Sequence, residues 1–165
     1  MFKKIVIAAP MAVLALSSSI AFAAENMSSI INIKATIPTS VFHAQPRDPN
    51  FGKDETLNYN VVSGELSSLR AVYDLKHSDA KGSINAFIEG GATKAALYNG
   101  SNAIPLTVAM GSTVLDGTSK EIVNAADATP GTQLDMIITA AKPTATQVGD
   151  YTGDFTVVFE PKLAI

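Results

Sequence analysis

The feature that most constrains this chain is an alternation of apolar and polar residues that returns along most of its length. Leu69, Ala71, Tyr73 and Leu75 interleave with Arg70, Val72, Asp74 and Lys76. A period of two places each set on one face of an extended chain, so the pattern predicts a strand with one buried face. Ile84, Ala86 and Ile88 repeat it against Ser83, Asn85 and Glu89, with Phe87 on the outer side, until Gly90-Gly91 ends the strand. In "AIPLTVAM", Ile104, Leu106 and Val108 share a face, and Pro105 directs this strand to an edge or to its own first residues. "TVLDGTSKEIV" reads as two short strands joined through Asp116-Gly117, a hairpin-type turn. A turn at Pro130-Gly131 precedes a strand with Leu134, Met136 and Ile138 inward. In "GDYTGDFTVVFEP", Tyr151, Gly153, Phe155, Val157 and Phe159 align on one face, which predicts a long, aromatic last strand followed only by "EPKLAI".

Helical signals are thin: "KEIVNAADA" has room for a turn or two between flanks rich in Gly, Pro and Thr. The stretch from His43 to Glu55, with two prolines and a glycine, reads as a surface loop. Several short strands separated by turn signals predict an all-β fold of the sandwich type.

The first residues concern address. Lys3 and Lys4 precede an apolar run from Ile5 to Leu16, and Ala21 and Ala23 frame Phe22. That order predicts a secretory signal peptide over residues 1–23, which leaves 142 of the 165 residues as one mature domain. Without Lys3 and Lys4, ten basic residues stand against fifteen acidic ones, and no basic cluster suits nucleic acid or an anionic membrane. Cysteine is absent although the predicted compartment is oxidising, so packing and strand pairing alone must supply stability.

Candidate chemistry is sparse. His43 stands at a strand exit and His77 in a turn with Ser78 and Asp79; neither has metal-ligand spacing, and both read as exposed loop histidines. Asp48, Asp54 and Glu55 crowd one loop but lack the EF-hand spacing, so they read as a solvated acidic loop rather than a Ca²⁺ site. No nucleophile elbow or S-x-x-K motif accompanies the many serines. Asn26 and Asn99 begin glycosylation sequons, the second of which is more simply a turn. No catalytic residue, metal site or cofactor is predicted; a small periplasmic enzyme is the remotest reading.

One segment is out of place. In "IINIKATIP", Ile31, Ile33, Ala35 and Ile37 form a full apolar face before any other strand exists to pair with it. Pro38 then closes the segment with a residue that has no donor for a ladder. This divides the mature chain into an N-terminal extension, residues 24–38, with Pro38 as hinge, and a domain over residues 39–165.

"AENMSSIINIKATIP" after a signal peptide resembles the opening of major pilins of the CFA/I and CS1 fimbriae, the alpha or class 5 chaperone–usher pili. "AIPLTVAMGSTVLDGTSKEIV" and "LDMIITAAKPTATQVGDYTGDFTVVF" are similar to later stretches of the same family. The likeness spans most of the mature chain and is poor between Val41 and Leu57, where "VFHAQPRDPNFG" resembles instead the subunits of the atypical surface antigen CS6.

The resemblance implies an immunoglobulin-like β-sandwich that lacks its last strand and is completed by donor-strand exchange. It implies identical pilin subunits, a periplasmic chaperone, an outer-membrane usher and a tip adhesin subunit as partners, with export through the periplasm to a fimbrium on the bacterial surface and a part in adhesion to host cells. In that scheme Ile31, Ile33, Ala35 and Ile37 are the donor strand, and Tyr151, Phe155, Val157 and Phe159 edge the acceptor groove. The competing reading is a self-contained secreted β-sandwich adhesin, or a CS6-like surface antigen subunit, whose first strand pairs internally.

Overall fold

The computed structural model describes residues 30–37 and 42–163. The predicted signal peptide, the start of the extension and Pro38 lie outside them. The chain divides into two units, residues 1–36 and 37–165.

The larger unit is an all-β sandwich. Its main sheet is formed by β1 (Phe42–Pro46), β4 (Leu69–His77), β6 (Ala96–Asn99), β7 (Asn102–Met110), β8 (Thr113–Val114) and β10 (Thr132–Ala140), in the order β1-β4-β10-β7-β6 with β8 on β7. A smaller sheet, β11-β5-β9, holds β5 (Gly82–Ile88), β9 (Lys120–Val123) and β11 (Val157–Leu163). A short hairpin of β2 (Tyr59–Asn60) and β3 (Glu65–Leu66) stands apart. Tyr73, Leu75, Val108, Met110, Met136 and Ile138 from the main sheet meet Ile84, Ala86, Ile88 and Val123 from the other in one core. All but Met110 and Val123 are inward members of the alternations read from the sequence; those two extend the inward rows of β7 and β9.

Several expectations change. Ser83 and Asn85 are buried, not outward and wet. β5 is the middle strand of its sheet, and the Asn85 amide donates to Ser119 Oγ (3.1 Å), which donates to Glu160 (2.7 Å), so a polar bridge covers that face. Pro105 lies in an inner strand. Its carbonyl accepts from Ala141 N beyond the last β10–β7 pair, so its donorless nitrogen falls where that ladder has ended. "KEIVNAADA" yields strand β9 and a single helical turn, α1 (Ala125–Ala128), capped by Asn124, whose side chain accepts from Asp127 N. Within His43 to Glu55, the first residues form β1 as an edge strand, where Pro46 at its end interrupts nothing.

Asp116-Gly117 does not close a hairpin. β8 pairs with β7 and β9 with β5, so this turn carries the chain from one sheet to the other. Asp116 fixes it by accepting from Ile88 N through its carbonyl and from Thr118 N through its carboxylate.

The expected last strand is split. Thr152 bridges Tyr98 of β6 through two hydrogen bonds, 2.7 and 3.0 Å, whereas β11 begins only at Val157 and pairs with β5. A Cβ on Gly153 would overlap the Ala96 carbonyl, so glycine permits this close approach to the main sheet. The chain then crosses between the sheets, and Glu160 to Leu163 continue the strand instead of trailing from it. β4, β7 and β10, nine residues each, exceed the seven of β11.

Candidate functional site

The sheet-to-sheet crossing leaves a cleft. β4 and β10 aim Leu69, Tyr73, Met136 and Ile138 into it, and Phe155, Val157 and Phe159 face them across a space of about 520 Å³. Phe51 and Leu57 reach in from the loop after β1. A second hollow, of about 740 Å³, shares Leu57, Leu97, Tyr151 and Thr152 with the first.

Three rings occupy the middle. Tyr73 stacks on Phe159 with centroids 5.3 Å apart, and Phe51 meets Tyr73 edge-on at 6.3 Å. Burial pushes the Tyr73 phenol above its ordinary pKa of 10.0. Tyr151 lies where the two hollows join, and its hydroxyl is buried without a hydrogen-bond partner. A buried hydroxyl in that state costs stability unless an incoming group pairs with it.

One wall of the cleft is an open strand edge. β11 pairs with β5 on one side and with nothing on the other among the described residues. Thr156 O accepts from Glu89 N on the β5 side, so alternation turns the backbone groups of Val157, Phe159 and Leu163 to the open side. Pro161 falls in the same row, with its donorless nitrogen directed away from β5.

All four groove residues read from the sequence, Tyr151, Phe155, Val157 and Phe159, therefore line one cleft. The chain from Ile30 to Ile37, which carries the four extension residues, forms no strand, and Ile31, Ile33 and Ile37 are 78 to 88 % exposed. Pro38 lies outside the described residues. Phe51 escaped the sequence reading because it was subsumed in a polar loop; a lone aromatic in such a loop is the signal that would have found it. His77 is not an exposed turn residue but the buried end of β4. Its Nδ1 accepts from Asp79 N at 3.1 Å, its ring lies over Gly82, where a Cβ would overlap it, and Phe42 packs against its edge. Among the loop carboxylates, Asp48 accepts from Asn50 N and Glu55 from Gly52 N, so both hold turns.

Comparison with known proteins places this cleft in context. The family model for the CS1 type fimbrial major subunit matches residues 27–160. The chain belongs to the CS1-type fimbrial major subunit family. It is thus a pilin, a structural subunit of a chaperone–usher fimbria, exported to the cell surface as part of that fimbria. Among solved structures, the CooA pilin subunit from enterotoxigenic Escherichia coli is similar with a TM-score of 0.58, covering 75 % of this chain and 88 % of that one. At 14 % identity that likeness speaks for the sandwich fold alone. No curated protein matches the sequence.

Proposed function

We propose that this pilin polymerises head to tail by donor-strand exchange, the extension of one subunit (residues 24–38) completing the sandwich of the next. The observation that carries the reading is a pair of unmet needs in one chain. An apolar cleft stands open beside the unpaired edge of β11, while Ile31, Ile33, Ala35 and Ile37 display a strand-patterned apolar face to solvent. Strand addition meets both: it supplies a ladder to the edge and buries isoleucines, each contributing about 1.5–3 kcal/mol.

The joint is heterologous and does not close on itself, so its product is a filament. No disulfide is needed, because each core is finished by a neighbour. An open apolar edge aggregates when left bare, which calls for a periplasmic chaperone to hold the cleft and an outer-membrane usher to exchange it. Identical subunits form the shaft, a tip adhesin subunit ends it, and the fimbria serves adhesion to host cells. The chain acts as a building block, without catalytic residues or cofactor, and Pro38 is the hinge between what a subunit gives and what it keeps.

Ile33→Asp tests the reading. The variant is expected to reach the periplasm and to form no multimers or fimbriae; normal fimbriae from it would overturn donor-strand exchange.

A further inference from the structure

The open edge of β11 and the apolar-faced stretch of the extension have the same length, seven residues from Val157 to Leu163 and seven from Ile31 to Ile37. Their size patterns differ in a way that fixes how they fit. The inward row of the extension is three isoleucines interrupted by one small residue, Ala35. The cleft is filled at one level, where the Phe159 ring stacks on Tyr73 and Phe51 abuts Tyr73 from the side. A small side chain belongs opposite the crowded level, because overpacking there would force rings off their rotamers.

We propose that Ala35 of a second copy lies opposite Phe159, antiparallel to β11, which pairs Ile37 with Val157, Ile33 with Pro161 and Ile31 with Leu163. This deepens the donor-strand reading and rests on it. The extent of β11 selects the direction. With Ala35 held at Phe159, the antiparallel ladder uses all seven residues of β11, whereas a parallel one would place Ile31 at Phe155, outside the strand. The antiparallel register also covers Leu163, 56 % exposed, with Ile31.

On the outer face the same register sets Lys34 directly across from Glu160, an opposite-charge pair; the parallel alternative places Lys34 at Val158. Glu160 has one carboxylate oxygen engaged by Ser119 and the other available. The occupant this cleft selects is accordingly a segment with a small residue two positions before its last large apolar one and a cation between the second and third inward positions. The chain's own extension has both, which makes a second copy the preferred partner.

The chain has no cysteine, so introduced pairs report without background. Residues 34 and 160 form a non-hydrogen-bonded pair in this register, with a Cα separation of about 4.5 Å, inside the disulfide range. In the full chain, Lys34→Cys with Glu160→Cys is expected to convert multimers into a covalent ladder under oxidation. Asn32→Cys with Glu160→Cys, a register slipped by two, should cross-link about tenfold less. Ala35→Leu should abolish multimers while the outward Thr36→Leu leaves them. Multimers that cross-link best through the slipped pair, or that tolerate Ala35→Leu as well as Thr36→Leu, overturn the register and leave donor exchange standing. Failure of both cysteine pairs to form any multimer, reduced or oxidised, or closure of the disulfide within one chain, overturns the register together with the reading beneath it.

Discussion

The ring of Tyr73 on β4 stacks on the ring of Phe159 on β11, 5.3 Å away and 30° from parallel. This contact ties the main sheet to the small one across an otherwise open cleft. β11 has lateral support from β5 alone, so the stack holds its free side toward the main sheet.

Replacing Tyr73 by alanine should therefore cost more than an average core truncation of its size. Tyr73 is buried, and its loss removes both the stack and the edge contact with Phe51. A destabilisation of about 3–5 kcal/mol is expected. Urea unfolding checks it, and a change below about 1 kcal/mol would show that the rings do not join the sheets.

Tyr151 makes the opposite case. Its hydroxyl is buried and unpartnered in the isolated chain, so Tyr151→Phe removes a polar group that nothing satisfies. The unfolding midpoint of the isolated subunit should stay level or rise, by up to about 1 kcal/mol. A drop of that size would mean that the hydroxyl is paired in solution.

Much of this cleft was legible in the sequence, and the rest was not for definite reasons. The alternations at Leu69 to Leu75 and Leu134 to Ile138 named the floor, because a period of two is a local property. Tyr151, Phe155, Val157 and Phe159 line one cleft, but not as the single strand that their alternation predicts, since β11 begins only at Val157. A single-face pattern cannot show that Thr152 pairs with one sheet and Val157 with the other. Asp116-Gly117 marked a bend, but a turn signal fixes where the chain reverses and not which strand receives it. Asn85 looked outward by alternation; the Ser119–Glu160 bridge that buries it comes from residues 34 and more positions away.

The crossover turn makes one pH-dependent contribution to stability. Lys120 at 2.7 Å, through its hydrogen bond first and then with help from Thr118 N, holds the Asp116 carboxyl below its ordinary pKa of 3.8. A depressed folded-state pKa contributes stability that is complete above the unfolded value and is lost as pH falls through the folded one. Unfolding midpoints should hold from pH 7 to about 4 and decline below it. Asp116→Asn should flatten that decline, and an unchanged slope would remove Asp116 from its cause.

Gly153 is the position where the cleft depends most on the absence of a side chain. A Cβ there would overlap the Ala96 carbonyl oxygen and crowd Leu97, both backbone atoms of β6 that have no rotamer to yield. Gly153→Ala must then push the strand off β6 and break the paired hydrogen bonds between Tyr98 and Thr152. The cost is expected at about 2–4 kcal/mol, the range for steric insertion together with lost buried hydrogen bonds. Because the Tyr98–Thr152 bridge anchors Tyr151 and Phe155 as one wall of the cleft, the loss should reach assembly as well as stability. Gly153→Ala subunits that fold should polymerise more slowly than wild type at equal concentration. The outward Thr156→Ala, on the far side of the crossing, should lower neither rate nor midpoint by a comparable amount. Equal effects from the two would show that the close approach at Gly153 does not shape the cleft.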